Sequence, residues 1–369
     1  MKYMIRSIST GVLLMALLGN TTACNAQGTP HRSLLALSKT DHTLAIVDPA
    51  TLKIVARMPV GEDPHEVIAS TDGKTAYVSI YGGGTLHELD VLDLINQKPL
   101  PAVDTRPLFG PHGLVFEKDK AWFTAEGSKA VGRYDPASGR LDWSMGTGQD
   151  RTHMLYVTAD GKSIYTTNVS SGTVSILIDT LIQPGPPPGA QGPPGGGQRP
   201  AGAQGSPGGQ GPPGGGRPHE DWKQYIIPVD RGSEGFDVSP DGKELWTAAS
   251  ETGTIAIIDL QARTLSAKLN AGVTGANRLK FSPDGHQVFI TSLSSGGLTI
   301  YDARSHKMVK QLQIGHGAAG ILMDPDGGRA FIACSADNYI AIVDLKTLEV
   351  TGHLDVGGVP DGMAWAIQP

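Results

Sequence analysis

Three histidines occupy matching settings in the first half of the chain: Pro64-His65-Glu66-Val67, Pro111-His112-Gly113-Leu114 and Thr152-His153-Met154-Leu155. Each stands seven residues before an acid of a turn, at Asp72, Asp119 and Asp160. The same offset from Asp241, Asp284 and Asp326 selects Glu234, Asn277 and Ala319, and Asp361 in the terminal Pro360-Asp361-Gly362-Met363 completes a set of seven. Five of the seven are His, Asp or Glu, a clustering that strand formation does not require. One chemistry for such a set is a transition-metal site: His65, His112 and His153 as ligands, with Glu234 or Asp361 helping. Imidazole nitrogens suit zinc or copper, and an open position would allow chemistry. Bonds of about 2 Å demand that the three rings converge, so this reading turns on how far apart their supporting elements hold them. Another is a pocket formed by His65, His112, His153, Glu234, Asn277 and Asp361 for a small molecule or a protein partner. The plainest is that these side chains cap turns and line a wet channel. His316 and Arg151 lie on the same loops.

The elements that carry these residues repeat. Seven apolar strands run into an aspartate and a turn, at Asp48, Asp93, Asp135, Asp179, Asp259, Asp302 and Asp344. Successive intervals are 42 to 45 residues, with one exception of 80. A period in the low forties, each unit holding several short strands, is the mark of a β-propeller. Residues 276–317 show one unit: RLKF, the turn SPDGH, QVFITS, the loop SSGG, LTIYD, the turn ARSHK and MVKQLQI. Alternating apolar residues and Asp-Gly turns predict four strands in antiparallel order. The Asp-Gly pairs lack the further acidic ligands of a calcium loop and read as turns. The first unit lacks its first strand, and PDGMAWAIQ (360–368) supplies one at the other end. The expectation is therefore an all-β, seven-bladed propeller spanning 32–369. Its four-stranded antiparallel blades include a blade one built from N-terminal strands and the C-terminal strand, which hides the sheet edges. Chemistry on such a disc is sought at the channel mouth, where first strands begin.

The interval of 80 holds an insertion. Residues 184–218 contain 14 Gly and 11 Pro among 35, too little apolar matter to bury, and are expected to be a disordered, partly extended loop within blade four. Strand order sends that loop to the face opposite the seven site positions.

Composition narrows the function. The net charge of −6 and the lack of a basic run exclude a nucleic-acid footprint. Residues 1–26 read as a secretory signal: Lys2 and Arg6, an apolar run from Val12 to Leu18 too short to span a bilayer, then small residues. Cleavage after Ala26 gives a soluble periplasmic or surface protein. Cleavage after Ala23 leaves Cys24 for lipidation, the only route to the membrane expected here. Cys334, in the apolar run AFIACSA, reads as a small buried hydrophobe, and two cysteines make no disulfide framework. The five tryptophans read as blade packing, and the chain is expected to act as a monomer. No phosphate loop, haem-attachment motif or nucleophile elbow is present.

The copies SPDGKELWTAASETGTIAIIDLQARTLSAKLNAG (239–272) and DPDGGRAFIACSADNYIAIVDLKTLEVTGHLDVGG (324–358) resemble the YVTN-repeat (YncE-like) family of exported bacterial propellers. The resemblance covers residues 32–369 apart from the insertion. It implies the fold and an envelope location, and it transfers no functional residue, because the matching positions are scaffold. The scaffold is also similar to seven-bladed lactonases and lactone-forming isomerases, which use His, Glu and Arg in the channel. That resemblance implies Arg151 and Arg278 for a carboxylate or oxyanion and His153 and Glu234 for proton transfer. Where a contiguous Gly-Pro-Arg-His stretch is expected of those enzymes, this chain reads Asp150-Arg151-Thr152-His153. The function expected is a binding or scaffold module of the cell envelope, with a metal-dependent or lactone-type enzyme as the alternative.

Overall fold

The computed structural model describes residues 28–182 and 219–369. Residues 1–26, expected from sequence to be a signal, with Cys24, and the Pro/Gly-rich stretch 184–218 lie outside the described residues. Those residues form seven four-stranded antiparallel sheets arranged as the blades of a propeller. The first strands of the blades are Pro360–Ile367, Pro64–Ala69, Pro111–Glu117, Thr152–Val157, Ser233–Val238, Ala276–Phe281 and Ala318–Met323. Each packs against the first strands of both flanking blades, so the seven close into a ring around the channel. Blade one consists of the C-terminal strand Pro360–Ile367 paired with Arg32–Ser38, then Thr43–Asp48 and Lys53–Pro59. Ring closure by the last strand is as the repeat count requires.

Burial follows strand position within a blade. Second strands such as Gln287–Ser292 and Arg329–Cys334 are buried at every residue after the first, because a neighbouring blade covers each face. Fourth strands such as Arg140–Gly146 alternate with solvent. The core therefore lies between blades: Leu35, Leu44 and Ile46 of blade one pack with Val67, Val78 and Leu92 of blade two. Trp122 and Trp246 are buried in such seams, and Trp143, Trp222 and Trp365 pack partly buried against them. Cys334 is also buried there, and burial pushes its thiol up to about 11, which keeps it inert.

The repeating aspartates are turn caps. Asp48, Asp135 and Asp344 each accept the backbone N–H two residues on, at 2.9 Å, and Asp302 accepts from Ser305 N–H at 2.7 Å. The Asp-Gly turns work alike: Asp72 accepts from Ser70 Oγ and from Lys74 N–H, and Gly73 takes the positive φ. Asp179 differs. Its strand continues to Ile182, which pairs with His219, so the residues flanking the insertion sit together at the far end of a lengthened strand pair. That far end projects from the side of blade four opposite the first-strand starts.

Candidate functional site

Each of the seven sequence-selected positions is the second residue of a first strand. All seven strands carry a register irregularity there. In blade two it falls between Pro64 and Val67, in blade three between Pro111 and Leu114, in blade four between Thr152 and Leu155. Blades five to seven repeat it, and in blade one it falls opposite Ala36 and Ser38. A bulge frees two residues from the ladder and bends the strand, which re-aims the side chain at its start. The freed backbone groups are satisfied by hydroxyls of second strands. Gly113 N–H donates to Thr124 Oγ1 at 2.8 Å, and Thr167 Oγ1 donates to the Glu234 carbonyl at 2.6 Å. The residue after the site position is glycine in four blades, for a steric reason. A Cβ at Gly113 would stand 2.6 Å from the His153 carbonyl oxygen, and one at Gly362 would stand 2.3 Å from that of His65.

These devices bring His65, His112, His153, Glu234, Asn277, Ala319 and Asp361 to the wall of one cavity of about 310 Å³, together with Arg151 and Arg278. His316 is not among them; its exposed ring pairs with Asp337 at 3.0 Å. A larger depression of about 650 Å³ lies between blades five and six around Asp241, Asp284, His286 and His306. Half of its residues are exposed turn positions, among them Asp241, Lys243, Asp284 and Arg304, so we place the functional site at the channel mouth.

The three imidazoles form an arc. The ring centroids of His65 and His112 are 4.6 Å apart, and those of His112 and His153 are 4.0 Å apart. His153 Nδ1 is hydrogen-bonded to the Glu126 carboxylate, whose other oxygen accepts from the Tyr81 hydroxyl. Arg151 spans the mouth, with Nε 3.7 Å from Glu126 and Nη2 3.5 Å from Glu234. Asn277 Nδ2 donates to Glu234 Oε2 at 2.6 Å. Across the channel, Arg278 Nη2 donates to Glu66 Oε1 at 2.5 Å. Lys39 Nζ lies 2.6 Å from His65 Nε2, 3.1 Å from Asp63 and 3.8 Å from Asp361.

The electrostatics follow from this packing. Burial drives the His65 imidazole down to about 4 against the pull of Asp361, and drives His112 well below its ordinary value, helped by the neighbouring His153 and His65. Burial alone would raise Glu126, but the His153 hydrogen bond, the Tyr81 hydroxyl and Arg151 outweigh it and keep the carboxyl below its usual range. Asp361 is raised by burial in spite of Arg278. Every cation at the mouth is already engaged by carboxylates: Arg278 by Glu66, Arg151 by Glu126 and Glu234, Lys39 by Asp63 and Asp361. By contrast, His112 Nδ1 and His153 Nε2 are buried with no hydrogen-bond partner. The two residues are 2 % and 3 % exposed.

Sequence reasoning missed Lys39, Glu66, Tyr81 and Glu126. A signal for two of them was present. The residue just past the second strand lines the same mouth in four blades, as Lys39, Tyr81, Leu293 and Ser335, and it falls sixteen residues after the site position in most blades, as in His65 to Tyr81 and Ala319 to Ser335. Blade three has the short turn at Lys118-Asp119, so its equivalent, Glu126, comes two residues early. Among described residues, the His, Cys, Asp and Glu side chains whose ligand atoms cluster within 4.8 Å are His112, Glu126 and His153. His65, one of the three expected ligands, is outside that group; Lys39 and Asp63 hold its Nε2.

No family model and no curated protein matches the chain. Solved structures do. A functionally unknown protein from Desulfotomaculum acetoxidans aligns with TM-score 0.67 at 12 % identity, over 91 % of this chain and 99 % of its own. A candidate 6-phosphogluconolactonase of Bacteroides uniformis aligns with TM-score 0.66 at 16 % identity, over 90 % and 99 %. Hydrazine synthase of Kuenenia stuttgartiensis aligns with TM-score 0.61 at 16 % identity, over 82 % and 89 %. At such identities these likenesses establish the propeller fold alone.

Proposed function

We propose that this protein is an exported, YVTN-type β-propeller binding module of the cell envelope whose channel mouth takes a small ligand. The observation that carries the reading is the pair of buried imidazole nitrogens, His112 Nδ1 and His153 Nε2, left without partners in a cavity of about 310 Å³. Buried polar atoms are nearly always satisfied, so two orphans in one cavity point to a missing occupant. With the cations already engaged and carboxylates in excess, the wall favours a cation or a ligand rich in hydrogen-bond donors over a free anion. The N-terminal segment supports export, and mass spectrometry of the mature N-terminus separates cleavage after Ala26 from lipidation at Cys24. A thermal-shift panel of amines, lactones and sugar acids tests the pocket. Hits should vanish in His112→Phe, which keeps a ring in place and removes the free nitrogen; a panel with no His112-dependent hit overturns the reading.

One arrangement favours catalysis as a second reading. Glu126 bonded to His153 Nδ1 fixes the tautomer and leaves Nε2 as an acceptor facing the cavity, the geometry of an oriented general base. With Arg151 and Glu234 beside it, lactone hydrolysis is the reaction class to screen. Turnover lost in His153→Gln supports it, and a screen at background removes it.

A further inference from the structure

We propose that His112, His153 and Glu126 form a binding site for a divalent transition-metal cation of the zinc or copper class. The proposal deepens the pocket reading above and rests on it. Three observations converge. Ligand atoms of these three residues lie within 4.8 Å of one another, from a turn and two first strands on adjacent blades. All three residues are buried, so the cluster is not the casual grouping of surface acids. The ring centroids are 4.0 Å apart, and each ring keeps one buried nitrogen without a hydrogen-bond partner.

Ligand roles follow from the hydrogen bonds. His112 would bind through Nδ1 and His153 through Nε2, because those atoms are the free ones. His153 Nδ1 donates to Glu126, and Glu126 is itself held by Tyr81 and faced by Arg151. A metal-ligating histidine ordinarily gives its second N–H to a carboxylate, which sets the tautomer and raises ligand basicity. Glu126 is thus the positioning residue of the site and Tyr81 its support. Donor atoms on a tetrahedral ion with bonds of about 2 Å sit about 3.4 Å apart, so the ion would require the two free nitrogens, on rings whose centroids are 4.0 Å apart, to converge on it. Two imidazoles select zinc or copper over magnesium or calcium, which prefer oxygen. His65 is excluded by the Lys39 ammonium at 2.6 Å from its Nε2, which repels a cation. The remaining coordination positions face the cavity and are open to water or to a ligand.

The test uses the full chain, stripped with a chelator and titrated with ZnCl₂ by calorimetry, with Co²⁺ absorption as a second readout. One equivalent should bind per chain. Affinity should fall at least tenfold in His112→Gln and in His153→Gln, and about 10–100-fold in Glu126→Gln, as expected for an orienting carboxylate. His316→Ala, on an exposed ring outside the cavity, should bind as the wild type does. The Co²⁺ spectrum of the wild type needs no variant and should show fewer than six ligands; a hexa-aqua-like spectrum overturns the site. Absence of stoichiometric binding overturns it, as does binding unchanged in both histidine variants, which places the ion elsewhere. If zinc fails while organic panel hits still depend on His112, the metal site is wrong and the pocket stands. If zinc binds as expected and the panel is blank, the organic ligand is wrong and the metal site stands.

Discussion

Arg278→Met removes the guanidinium at the centre of the mouth while keeping much of its apolar stem. The pair it breaks is shielded: Arg278 donates to Glu66 at 2.5 Å, with side-chain exposures of 9 % and 13 %. Loss of one partner of a buried ion pair costs about 3–5 kcal/mol, because the other charge stays desolvated. Asp361 and Glu234 also lie in the field of this cation, so the cost belongs to the network and not to one contact. The pH dependence has a definite sign. Asp361 is already raised by burial, and without Arg278 it loses the charge that pulls it down. A carboxyl whose folded pKa exceeds its unfolded value costs nothing below the unfolded value and destabilises increasingly as pH rises. The deficit of Arg278→Met should therefore be largest at pH 7.5 and shrink towards about pH 4. Denaturant unfolding followed by tryptophan fluorescence reads this directly, since Trp122 and Trp246 are buried between blades. The double variant Arg278→Met/Glu66→Gln should recover about 1–3 kcal/mol relative to the sum of the single variants. A single-variant cost under about 1 kcal/mol at pH 7.5, or simple additivity in the double, would refute a coupled buried network.

Three further outcomes are expected. In Gly113→Ala the new Cβ meets the His153 carbonyl oxygen at 2.6 Å and Met154 Cα at 2.9 Å, both backbone, so thermal unfolding should show a loss of about 1–3 kcal/mol. Gly146→Ala, with nothing within 4 Å, should stay within about 0.5 kcal/mol. His65 is held down to about 4, so the unfolded chain takes up a proton near pH 6.5 that the folded one refuses. Stability should then fall by up to about 3 kcal/mol as pH drops from about 6.5 to about 4, and His65→Gln should flatten that slope in a series of unfolding curves. Replacing residues 184–217 by a short turn shortens the closure of a hairpin whose ends, Ile182 and His219, are paired. It should stabilise by about 1–2 kcal/mol, and a loss of that size would contradict the blade-four assignment.

The blade count, the split first blade and the seven site positions were legible because a propeller repeats its register, so one clear unit dates all the others. Side-chain phase at the first-strand start survives that counting because the bulge recurs at the same place in each blade. Partnership was not legible. Glu66 and Arg278 lie 212 residues apart and meet only because blades two and six face each other across the channel. His65 stands outside the cluster of His112, Glu126 and His153 for a related reason: Lys39 comes from blade one, and nothing in the spacing of histidines announces an ammonium 2.6 Å from Nε2. Glu126 was hidden by a two-residue shortening of one turn, which puts it out of phase with Tyr81.

The two rings of mouth positions divide the chemistry between them. Where the residue after the site position is glycine, neighbouring first strands approach closely and only the site side chain enters the mouth. Blades two and six instead place Glu66 and Arg278 there, and these two form the pair that spans the channel. The second ring, just past the second strands, contributes Lys39 beside His65, and Tyr81 and Glu126 beside His153. One side of the mouth is thereby an ion-pair network of Arg278 and Lys39 with Glu66, Asp63 and Asp361. The other holds two imidazoles, each with a buried nitrogen that lacks a hydrogen-bond partner, beside a carboxylate. The segregation is what makes the arc of His112, His153 and Glu126 the place to look for a bound ion, and the Arg278–Glu66 network the structure that holds it open.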